Sequence, residues 1–120
     1  MNKPLLGLVL GGVLGILDGL TALISAPEVA PQIMGIVIGS TVKGLVVGVL
    51  VGWFANRVQS LTAGLLVGLV VGAFFAYLVA AMPDPSGKHY YWEIVLPGSI
   101  VGLIVGFATQ RYGRPRAVRA

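Results

Sequence analysis

Apolar residues run through this chain in four long blocks, separated by short polar or proline-rich breaks. The blocks are Leu5–Ser25, Ile33–Ala55, Leu61–Met82 and about Tyr91–Gln110. Each is close to the roughly 20 residues a helix needs to cross the hydrocarbon of a bilayer. None alternates polar and apolar residues as a barrel strand would. In lipid only helices and closed barrels satisfy every backbone N–H and C=O. The pattern therefore predicts an all-α membrane protein, with four transmembrane helices in a single polytopic domain over 1–120.

The breaks have local causes. Pro27 and Pro31 flank Glu28 and should stop the first two helices, because proline has no N–H to donate. Residues 56–60 form a tight polar link in which Ser60 is placed to cap the third helix. Residues 83–89 read as a loop, and 112–120 as a short basic tail. Pro97 lies beyond the first turn of the fourth block, so a kink or a late start near Leu96 is expected there. Lys3 and Ser25-Ala26 give the first block some look of a cleaved signal. However, it exceeds the roughly 7–15 apolar residues of a signal core, and its glycine spacing recurs later, so it reads as a mature helix.

Composition sharpens this picture. Only 10% of the residues are charged, against about 25% in a water-soluble domain. There is no cysteine and only one histidine, His89, so no disulfide, thiolate or histidine metal site is expected. The glycine rows have no strand before them and no Lys-Ser/Thr after them, which excludes a phosphate loop. The four carboxylates are scattered, so no catalytic pair is visible. No enzyme activity and no cofactor are expected.

The charges also segregate. Lys3, Arg57, Arg111, Arg114, Arg116 and Arg119 fall on one side, and Lys88, Glu28, Asp84 and Glu93 on the other. The positive-inside rule then puts both termini in the cytoplasm, with the plasma (inner) membrane as the expected host. Trp53, Phe54, Phe107 and Tyr112 fall near one interface, and Tyr90, Tyr91 and Trp92 near the other, as anchoring rings do. The arginine-rich tail should attract anionic lipid, worth about 1 kcal/mol per residue near the surface. It is too short a basic run for nucleic acid.

Sixteen of the eighteen glycines lie inside the blocks. Glycine costs a helix about 1 kcal/mol per residue against alanine in water, so its concentration needs a reason. It recurs every fourth residue: Gly7, Gly11 and Gly15; Gly35 and Gly39; Gly44, Gly48 and Gly52; Gly64, Gly68 and Gly72; Gly98, Gly102 and Gly106. In lipid, small residues let helix backbones approach closely, so the rows predict glycine-zipper packing. The second helix carries two rows on different sides. This suits a homo-oligomer, with packing inside one chain as the alternative.

The halves resemble each other. Residues 44–57, GLVVGVLVGWFANR, align with 98–111, GSIVGLIVGFATQR, at an offset of 54. Gly7, Gly11 and Gly15 align with Gly64, Gly68 and Gly72 at an offset of 57. The chain therefore reads as two tandem helical hairpins, about 5–57 and 61–111, in a parallel internal repeat.

Two charges lie inside the blocks. Asp18 and Lys43 sit roughly 10 and 15 Å below the same surface at 1.5 Å per residue. An isolated charge there costs roughly 2.5–3.5 kcal/mol on insertion scales, so the two should pair. Thr21 and Ser40 extend a polar stripe beside them. The second half carries Phe75 and Pro97 at the corresponding positions. The pair reads either as a register-setting contact or as part of a pathway. The expected function is a small oligomeric channel or transporter for an ion or small solute. The alternative is a non-transporting accessory subunit of a larger membrane complex.

Overall fold

The computed structural model describes residues 2–58, 60–82 and 89–113. The expected loop 83–88, with Asp84 and Lys88, and the tail arginines Arg114, Arg116 and Arg119 lie outside the described residues. The described chain is helical throughout: α1 (Lys3–Leu20), α2 (Ala22–Ser25), a 3-10 segment (Pro27–Gln32), α3 (Ile33–Arg57), α4 (Leu61–Ala80) and α5 (Tyr91–Tyr112). Four of these stretches are long and apolar enough to cross a membrane.

Local chemistry sets the helix ends. Asn2 Oδ1 accepts from Leu5 N at 2.8 Å and caps α1, with Pro4 in the first turn. Ser60 Oγ accepts from Ala63 N at 3.3 Å and caps α4, a standard use of serine. The first block breaks earlier than its prolines imply. α1 stops at Leu20, and Thr21 N bonds to both Leu17 O and Asp18 O at 3.1 Å. A single further turn, α2, leads to Ala26, and Pro27–Gln32 then winds as a 3-10 segment around Pro31. Proline bars the α-pattern there without forcing an open loop. α5 differs in the opposite sense. It begins at Tyr91 and runs through Pro97 to Tyr112, so the late start at Leu96 does not occur.

The helices associate as α1 with α3 and α4 with α5. In each pair the contact is backbone on backbone. A methyl added at Gly7 would fall on the Gly48 carbonyl, one at Gly11 on the Gly44 carbonyl, and one at Gly15 would lie 2.6 Å from Ser40 O. On the other pair, Gly68 meets the Gly102 carbonyl, Gly106 meets the Gly64 carbonyl, and Gly72 would place a methyl 2.5 Å from Gly98 O. Rising numbers on one helix meet falling numbers on its partner, so both pairs are antiparallel. The registers differ by one helical turn from the sequence alignment: Gly11 meets Gly44, whereas its counterpart Gly68 meets Gly102 rather than Gly98.

The pairs join through side chains. Val47 and Val51 of α3 and Val101 and Val105 of α5 form the buried core, with Leu10, Leu14, Val71 and Phe75 packed against it. Elsewhere large apolar side chains point outward, Val13, Ile38, Val70 and Phe74 among them.

Both ends of the described chain lie at one end of the bundle, together with Lys3, Arg57 and Arg111. Lys3 is more than a flanking charge. It is only 3% exposed, and its Nζ donates to Ala55 O at 2.9 Å. Ala55 O is one of the last carbonyls of α3, which have no helical donor. The ammonium also meets the negative end of that helix. Lys3→Met is expected to cost about 2 kcal/mol, the scale of a hydrogen bond to a charged group. An unchanged denaturant midpoint would contradict the capping role. Gln110 Nε2 adds a second tie, donating to Val58 O at 2.6 Å. At the same end Arg57 lies over the Trp53 ring, 4.8 Å from its centroid.

Candidate functional site

The site lies toward the other end of the bundle, among α1, α3 and the start of α5. Asp18 is in the last turn of α1, where helix carbonyls already concentrate negative potential. A carboxylate there needs a cation. Lys43 of α3 supplies it, with Nζ 2.9 Å from Asp18 Oδ2. The two side chains are 6% and 9% exposed respectively. Among the described residues this is the only hydrogen bond of the Lys43 ammonium.

α5 makes room for that ammonium. A methyl at Gly98 would lie 3.3 Å from Lys43 Nζ and 2.5 Å from Ala76 Cβ. The sequence alignment sets Lys43 against Pro97 as a counterpart in the other half. In space, Lys43 instead reaches the neighbouring glycine of that half. Phe75, the counterpart of Asp18, packs against the valine core.

The hydroxyls of the expected polar stripe are engaged elsewhere. Thr21 Oγ1 donates to Asp18 O at 2.5 Å, and Ser40 Oγ donates to Gly15 O across the α1–α3 contact. Both satisfy backbone carbonyls, so neither bonds the ion pair, yet Asp18, Thr21, Ser40 and Lys43 all line one cleft.

That cleft has a volume of about 670 Å³. It runs along α3 from Gln32 to Lys43, about 16 Å at the helical rise. Its walls include Ala22, Val29, Ile36, Val79 and Ile94, and Tyr90 and Glu93 stand at its mouth. Tyr90 Oη donates to Glu28 Oε1 at 3.4 Å, linking the 3-10 segment to the start of α5. His89 stacks on Tyr91 with centroids 5.2 Å apart, and its Nδ1 donates to Ala80 O at 3.1 Å. It serves as a tie between α4 and α5. Among the described residues no three His, Asp or Glu side chains gather as a metal site.

One row of glycines departs from the packing expectation. Gly35 and Gly39 are exposed, a methyl at either would meet nothing within 4 Å, and both line the cleft. Gly19, the fourth glycine of the first row, faces Val37 and Ser40. Two alanines pack without having been singled out: Ala76 and Ala80 continue the Gly64–Gly72 row as fully buried residues. The signal for the alanines was present, since they keep the four-residue spacing.

Four helices long and apolar enough to cross a membrane fit, at the level of class, an α-helical membrane protein. No family model, curated protein or solved structure matches it.

Proposed function

We propose that the protein is a small channel or transporter for an ion or small solute, working as a homo-oligomer. The observation that carries this reading is the Asp18–Lys43 pair, with side chains only 6% and 9% exposed, in the lining of a cleft among apolar helices. Ionisable side chains inside membrane helices characteristically mark ion and substrate pathways. On this reading each half is a rigid glycine-zipper hairpin, and the two hairpins form a parallel repeat. Movement then occurs at the valine interface between them, where side chains slide more readily than interlocked backbones. Rocking of one pair against the other would close the cleft at one end and open the valine layer at the other, an alternating-access scheme.

The segregated charges support cytoplasmic termini in a plasma (inner) membrane, with the arginine tail on anionic lipid. Asp18→Asn keeps the shape of the side chain and removes the charge. It is expected to change solute flux in proteoliposomes at least tenfold while the oligomer survives. Unchanged flux would contradict the proposal.

The open Gly35–Gly39 face favours a second reading, an accessory subunit that packs on a larger membrane protein. In that case Asp18 and Lys43 only set register. Asp18→Lys combined with Lys43→Asp should then restore assembly, and a larger protein should co-purify.

A further inference from the structure

We infer that the cleft binds an amphiphilic monocation, an ammonium group on an apolar body. The argument is one of charge and shape. The ionisable side chains lining the cleft are Asp18, Lys43 and Glu93. Asp18 and Lys43 neutralise each other at the inner end. A second cation placed there would meet the Lys43 ammonium, and an anion would meet the Asp18 carboxylate. The inner end therefore has no demand for a further charge.

Glu93 at the mouth is different. It is exposed, and among the described residues no cation pairs with it. Tyr90 lies beside it in the lining and offers an aromatic ring, which attracts cations over its face. An ammonium group at the mouth meets both. An anionic head would meet Glu93 at close range and be repelled.

Between mouth and floor the cleft is lined by apolar side chains and by the bare backbone of Gly35 and Gly39. Its length of about 16 Å along α3 accommodates an extended alkyl chain. The glycines widen it: they carry no side chain, and among the described residues a Cβ at either would meet nothing within 4 Å. The apolar body thus lies along α3 and stops above the ion pair.

The inference rests on the transport reading for the choice of site, so binding and flux are measured separately. Octyltrimethylammonium, octyl sulfate and octanol are titrated calorimetrically into the chain in zwitterionic-lipid nanodiscs, with empty nanodiscs subtracted. The expected result is saturable binding of the ammonium, at least about tenfold tighter than the sulfate, the scale of one charge pair at a partly wet site. Glu93→Gln should reduce that preference about tenfold. Gly39→Leu should abolish binding, because the new side chain fills the cleft without striking a neighbour. Its unfolding midpoint should be no lower than that of the parent. Equal binding of cation and anion would overturn the inference, as would binding that survives Gly39→Leu. Cation binding without flux would leave the inference standing and end the transport reading. Flux that responds to Asp18→Asn without any cation preference would end the inference alone.

Discussion

Gly48→Leu is expected to destroy the α1–α3 pair. A Cβ at position 48 would land on the Gly7 carbonyl oxygen, 2.6 Å from its carbon and 3.2 Å from Gly11 Cα. All three are backbone atoms of a helix, so no rotamer change relieves the clash. The helices would have to separate, and the contacts at Gly11–Gly44 and Gly52–Lys3 would go with them. Overpacking of a well-packed interior costs about 1–3 kcal/mol or more. With no yielding partner the upper end applies, a large part of the roughly 5–15 kcal/mol that keeps a protein folded. Circular dichroism during a detergent-denaturant titration reads the loss. Gly39→Leu is the internal control: same helix, same substitution, nothing within 4 Å. Equal destabilisation by the two variants would show that helix composition matters and the seam does not.

The second large effect is at the ion pair. Asp18→Ala leaves the Lys43 ammonium 9% exposed with no partner among the described residues. Breaking a buried pair from one side costs about 3–5 kcal/mol. Removing both charges with Asp18→Leu and Lys43→Met should restore most of that loss, since well-packed apolar side chains often replace a buried pair at no cost. The cycle separates two contributions. A large single-variant loss with recovery in the double variant means that the lone charge is the problem. Equal losses in the single and double variants would mean that the pair itself holds α1 to α3. A strong fall in flux in a stable double variant would support the transport reading.

Much of the architecture was legible because lipid imposes few solutions. Block length and glycine period are enough to predict four helices, and the depths of Asp18 and Lys43 are enough to pair them. What the sequence concealed depends on three-dimensional neighbours. Lys3 looks like any flanking basic residue, and only the meeting of the α1 start with the α3 end makes it a buried cap. Gly35 and Gly39 share the spacing of the packed rows, but a row says that close approach is permitted, not that a helix is there to approach. The one-turn difference in register between the two pairs is also absent from the alignment. Identical glycine spacing allows either register. Thr21 and Ser40 line the same cleft as the charges, and their hydroxyls bond to the backbone carbonyls of Asp18 and Gly15.

The central physical claim is that backbone meets backbone along the glycine rows. Solid-state NMR on protein labelled with 13C only at glycine, in lipid, tests it most directly. Glycines three or four residues apart on one helix give signals fixed by helix geometry alone, so the test lies in the glycine pairs that belong to different helices. The structure predicts inter-helix signals pairing Gly7 with Gly48, Gly11 with Gly44, and Gly68 with Gly102, and no inter-helix signal within a single chain from Gly35 or Gly39. Absence of the three inter-helix pairs, with leucine side chains found in the seams instead, would contradict it.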